Sequence, residues 1–340
     1  MVSANKIKVL AAAAVAASFA AVADDTRGLL ERMGRALATR NYQGTFVHEH
    51  DGQSETLKIV HRVSGADVAE RIVSLDGSRR EVIRRDGELT AYFPEQRVAM
   101  VQSGPKEGLL LNDLLRLDTA AAQMYRLSEE SPARVSGRMA RIIAVEPQDD
   151  MRYGYRVWID EASAMPLKTQ LRTSVGRVVE QLVFTELTLP AHIDDAALQP
   201  AVAARDYRWL RHATTTASVN EGSDTTWDAT ELPPGFRLTA NSTRVLAGAK
   251  TTVTHLVFSD GLASVSVFVE PQSPLRSARR LLPGPVTMTN LGSSSALSTQ
   301  VDGHRVTAIG EVPPATVRAI AGSLRAGFAP DARPERGEHH

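Results

Sequence analysis

Residues 24–40, DDTRGLLERMGRALATR, repeat their apolar side chains at helical spacing. Leu29, Leu30, Met33, Ala36 and Leu37 form one stripe, and Asp24, Asp25 or Thr26 supplies the cap. Beyond it the period changes to two. Short alternating runs are separated by Asp51-Gly52, Ser64-Gly65, Asp76-Gly77, Asp86-Gly87, Ser136-Gly137 and Val175-Gly176, the first four spaced by 10–13 residues. That rhythm predicts an antiparallel meander. GLLLNDLLRLDTAAAQMYRLSEE (108–130) interrupts it and reads as a second helix, after which strands resume through RMARIIAVEP, YGYRVWID, PLKTQLRTSV and RVVEQLVFTELTL. The first domain is therefore expected to be one large curved antiparallel sheet with two helices.

The pattern breaks near 190–230, where ATTTASVNEGSDTT (213–226) has the composition of a linker. The organisation expected is a first domain over 24–205, a linker over 206–230, a smaller antiparallel domain over 231–326 and a disordered tail over 327–340. The second domain opens at Leu232-Pro233-Pro234-Gly235-Phe236 and closes with a helix. Pro314 suits that helix's first turn, and Val317, Ile320, Ala321 and Leu324 form its buried stripe.

Within the second domain, HLVFSDGLASVSVFVE (255–270) has the form of a hairpin turning at Asp260-Gly261. A two-residue turn sets Phe258 against Ala263, Leu256 against Val265 and Thr254 against Val267, so one face is almost wholly apolar. The other face carries Val253, His255, Val257, Ser259, Leu262, Ser264, Ser266 and Phe268, with His255 opposite Ser266. A half-polar face is left to solvent, covered by a helix, or met by something from outside. His255, Val257, Ser264 and Phe268 are its candidate docking residues.

The N-terminus adds a destination. Lys6 and Lys8 precede the apolar run VLAAAAVAASFAA, and Ala21-Val22-Ala23 places small residues at cleavage spacing, the form of a secretory signal peptide over 1–23. The expected product is exported, in the periplasm. The 340 residues include no Cys, which excludes disulfides, thiolate chemistry and a lipid-anchored cysteine. Charge is balanced, 39 basic against 39 acidic residues, which argues against general nucleic-acid binding.

Catalytic signals are missing. No GxSxG, HExxH, P-loop or GxGxxG pattern occurs. His48 and His50 share a strand face, with His61 as a tempting third metal ligand. The Asp51-Gly52 register, however, pairs His48 with Glu55, Phe46 with Leu57, Gly44 with Ile59 and Tyr42 with His61. His61 then lies roughly 20 Å along the strand from His48. Neither a metal site nor a cofactor is expected. In RREVIRR (79–85), the Asp76-Gly77 turn sets Arg71, Arg80 and Arg84 on one sheet face. There they either bind phosphate or carboxylate, or form a solvated basic face. A large sheet that does not close leaves a concave side its own side chains need not fill. Phe46, Leu57, Ile59, Tyr92, Phe93, Met100 and Trp158 are candidate liners of an acyl-chain site, or else core.

Taken together, NYQGTFVH, RIVSLDGSRREVIR, AYFPEQRV, HLVFSDGLASVSVFVE and GEVPPATVRAIAGSL resemble the RseB/MucB family, periplasmic negative regulators of the envelope-stress (sigma-E/AlgU type) sigma factor. The resemblance runs from about Leu29 to about Leu324. It implies an α+β protein: a large unclosed antiparallel β-barrel similar to the carriers LolA and LolB, plus a smaller β-sheet domain with a terminal helix. It implies no enzyme activity and a tendency to form homo-oligomers, commonly dimers. It also implies binding to the periplasmic domain of a membrane anti-sigma factor, protection of that factor from regulated proteolysis, and release by lipid A, lipopolysaccharide or acyl chains. The competing expectation is a periplasmic lipid or lipoprotein carrier, for which the second domain would be superfluous.

Overall fold

The computed structural model describes residues 25–65, 67–103, 123–212, 225–245, 252–271 and 287–328. The expected signal peptide, the tail beyond 328 and most of the second expected helix lie outside them. The chain divides into two compact units. The first comprises 1–214 together with Asp260–Ala263, and the second comprises 215–259 and 264–340.

The first unit opens with α1 (25–39). Its strands are β1 (Tyr42–His50), β2 (Gln53–Ser64), β3 (Asp67–Ser74), β4 (Glu81–Arg85), β5 (Glu88–Phe93), β6 (Val98–Ser103), β7 (Tyr125–Val135), β8 (Arg138–Pro147), β9 (Gly154–Asp160), β10 (Pro166–Arg172), β11 (Val178–Thr188) and β12 (Arg208–His212). They form one sheet in the order β12-β6-β5-β4-β3-β2-β1-β11-β10-β9-β8-β7. Two meanders meet where β1 pairs with β11, and β12 alone runs parallel to its neighbour, β6. The terminal strands β12 and β7 are not neighbours, so the sheet stays unclosed among the described residues.

The stripe of α1 has the partner its periodicity demands. Leu29, Leu30, Met33, Ala36 and Leu37 pack in one core with Tyr42, Phe46, Leu57, Ile59, Ile143, Val157 and Phe184. Gly44 lies beneath this layer because β11 comes too close for a side chain. A Cβ there would sit 2.3 Å from the Glu186 carbonyl oxygen and 3.1 Å from the Phe184 ring. Gly44→Ala should cost about 1–3 kcal/mol in chemical denaturation, since backbone rather than a flexible side chain must yield.

Two expectations change here. Tyr125–Glu130, expected at the end of a helix, begins β7: Tyr125 and Leu127 alternate with polar residues and pair with Pro147 and Val145 of β8. Cross-strand pairing outweighs the helical propensity of Leu and Glu at this site. The expected linker over 206–230 carries a strand at each end, β12 and β13 (Thr225–Ala229), while 213–224 lie outside the described residues.

The second unit pairs β13 with β20 (Leu324–Phe328). Its six-stranded sheet holds β14 (Arg237–Val245), β15 (Thr252–Ser259), β16 (Ser264–Pro271), β17 (Thr287–Leu291), β18 (Ser294–Val301) and β19 (His304–Gly310), in the order β14-β15-β16-β19-β18-β17. Helix α2 (Pro314–Ser323) starts on Pro314 and buries Val317, Ile320 and Ala321. It packs on β18 and β19.

Candidate functional site

Cross-strand rows decide which candidate residues share a face. Phe46 pairs with Leu57, and Ile59 continues the same face through Ile72, Val82, Ala91 and Met100. Phe93 shares this parity on β5. Burial falls steadily along the row, from 2 % exposure at Ile59 and 6 % at Ile72 to 37 % at Met100. Phe46, Leu57 and Ile59 are thus core beneath α1, while Phe93 and Met100 lie at the emptier end of the same face.

Tyr92 and Trp158 do not join them. Tyr92 pairs with Ala99 and meets Trp209 edge-on at 6.1 Å, on the opposite face. Trp158 sits in a row with Lys168, Val183 and Val47, again opposite Phe46. The Lys168 ammonium lies 4.7 Å from its ring centroid. Burial first, and the Arg156 charge after it, pull the Lys168 pKa down, partly offset by Glu49.

The arginine cluster does not form. Arg71 pairs with Ile83, whereas Arg84 pairs with Glu70, so Arg71 and Arg84 occupy opposite faces. Each arginine also has a carboxylate: Arg71 on Glu81 at 2.5 Å, Arg80 on Glu55 at 2.8 Å and Arg84 on Glu70 at 3.9 Å. Glu70 further holds the buried His61 at 2.8 Å, and His61 stacks on Tyr42 with ring centroids 4.4 Å apart.

On the other face these charges fasten a strap. Ile193 and Leu198 cover Val60 and Ala69. Arg71 donates to the Ala197 carbonyl at 3.2 Å, Glu81 accepts from the Ala201 amide at 3.1 Å, and Arg62 and Arg85 converge on Asp195 at 2.7 and 2.9 Å. The hydrogen bond from Arg62, reinforced by Arg85, holds the Asp195 carboxyl below its ordinary value. A depressed carboxylate stabilises above its unfolded pKa and loses that contribution as pH falls through its folded one. Asp195→Asn should therefore speed amide exchange across 195–201 at neutral pH, and the difference from the unaltered chain should persist below the ordinary aspartate value of about 4, shrinking only as pH falls through the depressed folded pKa.

The β1–β2 register is the one expected, Tyr42 with His61 and His48 with Glu55. His48 bonds Glu180 at 2.7 Å. Among the described residues no three His, Cys, Asp or Glu side chains gather as a metal site.

The hairpin of the second unit keeps its expected faces but not its expected register. Ser259 pairs with Ser264, Phe258 with Val265, Leu256 with Val267 and His255 with Phe268. The turn is four residues, not two, because the Asp260 carboxylate accepts from the amides of Leu262 at 2.9 Å and Ala263 at 2.7 Å. A slip of two residues preserves side-chain direction. The apolar row Leu256, Val267, Ala308 and Leu297 is almost fully buried. In the next row, Ser295 donates to the Val312 carbonyl at 2.7 Å, just before α2, so the helix lies over this apolar face. Val257, Ser266 and Phe268 on the other face remain partly exposed and Ser264 is exposed. The Phe268 ring stacks on His255 at 4.5 Å and 4°.

Asp260 has a second role that spacing did not reveal. Within the first unit it meets Arg152, and both side chains are fully buried. Arg152 also grips Asp149 through Nε at 2.9 Å and Nη2 at 3.0 Å, and Tyr125 donates to Asp260 at 3.1 Å. Burial opposes the Arg152 charge, but the Asp149 hydrogen bonds and the Asp260 charge outweigh it and raise its pKa. Burial, then the Asp260 charge, pushes the Tyr125 pKa upward, so the phenol stays a donor.

An open sheet with a half-exposed apolar end and a second sheet with a half-polar face define a protein of two β domains, each of which leaves apolar surface accessible. Comparison supplies the family. Residues 25–202 match the MucB/RseB N-terminal domain and residues 221–325 match the MucB/RseB C-terminal domain, so the chain belongs to the MucB/RseB family. Over 310 residues it is 34 % identical to the sigma factor AlgU regulatory protein MucB of Pseudomonas aeruginosa, covering 89 % of this chain and 92 % of that one. It is 28 % identical to the sigma-E factor regulatory protein RseB of Escherichia coli K12, covering 88 % and 91 %. A crystal structure of MucB in complex with MucA(peri) aligns with a TM-score of 0.67 at 31 % identity, over 89 % of this chain and 99 % of that one. The family is regulatory rather than enzymatic.

Proposed function

We propose that this chain works in the periplasm, binds the periplasmic part of a membrane anti-sigma factor, shields it from regulated proteolysis and releases it when a lipid or lipopolysaccharide binds. The observation that carries the reading is the match of both family domains, joined to the alignment of this chain with nearly the whole of a MucB that was crystallised in complex with MucA(peri). The half-polar face of β15 and β16 is the docking surface proposed for the partner, with Val257, Ser264 and the His255–Phe268 stack at its centre. A partly exposed aromatic held by stacking on its cross-strand neighbour is the kind of anchor that dominates binding energy. Phe268→Asp combined with Val257→Ser should weaken capture of the anti-sigma periplasmic fragment at least tenfold, measured by titration calorimetry on protein with an unchanged unfolding midpoint. Full affinity in that variant removes the docking role.

The lipid step is proposed for the half-exposed end of the inner face, at Phe93 and Met100. Release by linkage requires the lipid to bind the partner-free protein more tightly than the complex, and a tenfold loss of partner affinity needs about 1.4 kcal/mol of such preference. Adding lipid A to the preformed complex should free the fragment, and Met100→Asp should raise the lipid concentration required. The exposed apolar end also favours a second reading, a lipid carrier. For a carrier, acyl chains would bind with no effect on capture of the fragment.

A further inference from the structure

The two free edges of the first sheet are built differently. At one end, β7 carries Pro132 and a bulge between Glu130 and Ala133, and both features discourage another strand from pairing. At the other end, β12 keeps a continuous parallel register with β6, from Arg208 beside Val98 to His212 beside Gln102. It contains no proline and no bulge. Among the described residues its outer side has no neighbouring strand.

Three further features converge on this edge. Trp209 is 44 % exposed although its ring lies edge-on to the buried Tyr92. It is therefore held in place while most of one side remains available. Arg208 and Arg211 are exposed along the strand, and Arg97 and Arg205 are exposed next to it. The Arg208 amide donates to the Arg97 carbonyl at 2.8 Å, which fixes two of these guanidinium-bearing residues side by side. Glu88 approaches Arg211 only at 3.9 Å, with both side chains largely solvated, so little of the positive charge is neutralised.

We propose that β12 takes an extended, acidic segment of a protein partner as an added strand, anchored on Trp209. Main-chain hydrogen bonds would supply affinity and the arginines would select for carboxylates. The same charge argues against a second copy of this chain, because two β12 edges would bring like-charged arginines together. The proposal rests on the reading that this chain binds an anti-sigma fragment, and it places an acidic stretch of that fragment on the first unit.

The test uses the full chain and two probes, the anti-sigma periplasmic fragment and a synthetic peptide of alternating valine and glutamate. Each probe is expected to slow amide exchange at Trp209 and Arg211, whose amides alternate with the β6-bonded Arg208 and point to the free edge, at least tenfold. Arg208→Glu with Arg211→Glu, and separately Trp209→Ala, should weaken capture of both probes at least tenfold. Arg208 and Arg211 are exposed, so charge reversal should not move the unfolding midpoint, and Trp209→Ala, which loses the contact with Tyr92, is compared at a temperature where it remains folded. If the fragment binds the edge variants at full affinity and the β12 amides exchange at the free rate, the edge proposal is overturned and the partner-binding reading stands. If the unaltered chain captures no fragment, that reading fails and the peptide decides. Capture abolished by charge reversal then keeps β12 as a receptor for an acidic strand, and no capture overturns it. A chain dimer that charge reversal breaks would make the occupant a second copy and overturn the acidic segment.

Discussion

Replacing Arg152 with alanine is expected to lower the stability of the first unit by about 3–5 kcal/mol, the range for removing one partner of a buried ion pair. Both Arg152 and Asp260 are fully buried, so nothing from solvent replaces the lost guanidinium. The deletion leaves the Asp260 carboxylate with the Tyr125 hydroxyl and the Leu262 and Ala263 amides, which are dipoles and not a countercharge. Arg152→Lys should recover only part of the loss, because a lysine ammonium cannot span both Asp149 oxygens as the guanidinium does. Amide exchange at Val157 and Ile159, buried in the first unit, reads the change without relying on unfolding of the whole chain. A double cycle with Asp260→Asn should give a coupling well above 1 kcal/mol. A coupling near zero would mean that the pair does not form in solution.

Asp260 also marks the limit of what spacing reveals. The sequence places it correctly as a turn residue, since Asp before Gly between alternating apolar runs is turn chemistry. A turn signal does not count the residues in the loop. Here the Asp260 carboxylate bridges to two amides beyond Gly261 and lengthens the turn, so the pairing slips by two and the faces survive. The β3–β4 hairpin slips by one. Asp76, read as half of a two-residue turn, instead accepts the Thr56 amide of the neighbouring strand at 3.0 Å, and the loop runs from Leu75 to Arg80. Slipping by one turns every side chain over, and it is why Arg71 and Arg84 part company. The β1–β2 register was legible because the Asp51-Gly52 turn has the two-residue length that its spacing implies, with His50 paired to Gln53. The helical stripes of α1 and α2 were legible because helix periodicity is local. The Arg152–Asp260 pair was not, since the two residues are far apart in sequence and each is unremarkable in its own neighbourhood. The parallel strand β12 carries too short a pattern, RWLRH, to stand out from the polar sequence that follows it.

Truncating Phe46 to alanine is expected to cost about 3–5 kcal/mol, whereas Met100→Ala should change stability by less than about 0.5 kcal/mol. Both residues were candidate liners of one apolar concavity, and their parity does place them on the same face. They differ in what covers them. Phe46 is 1 % exposed, its ring lies 5.6 Å from that of Phe184, and the stripe of α1 packs in the same core. Removing it leaves a void that the surrounding strands and Gly44, already at contact with β11, cannot close. Met100 is 37 % exposed, so its truncation mainly removes surface already in contact with water. The pair of variants therefore separates structural lining from ligand lining. Under the lipid-release reading, Met100→Ala should leave unfolding unchanged and weaken acyl-chain binding, and Phe46→Ala should do the opposite at temperatures where it remains folded. Equal destabilisation by the two substitutions would mean that the far end of the face is as fully packed in solution as the near end. No apolar surface would then remain there for an acyl chain, and release of the partner would need another cause.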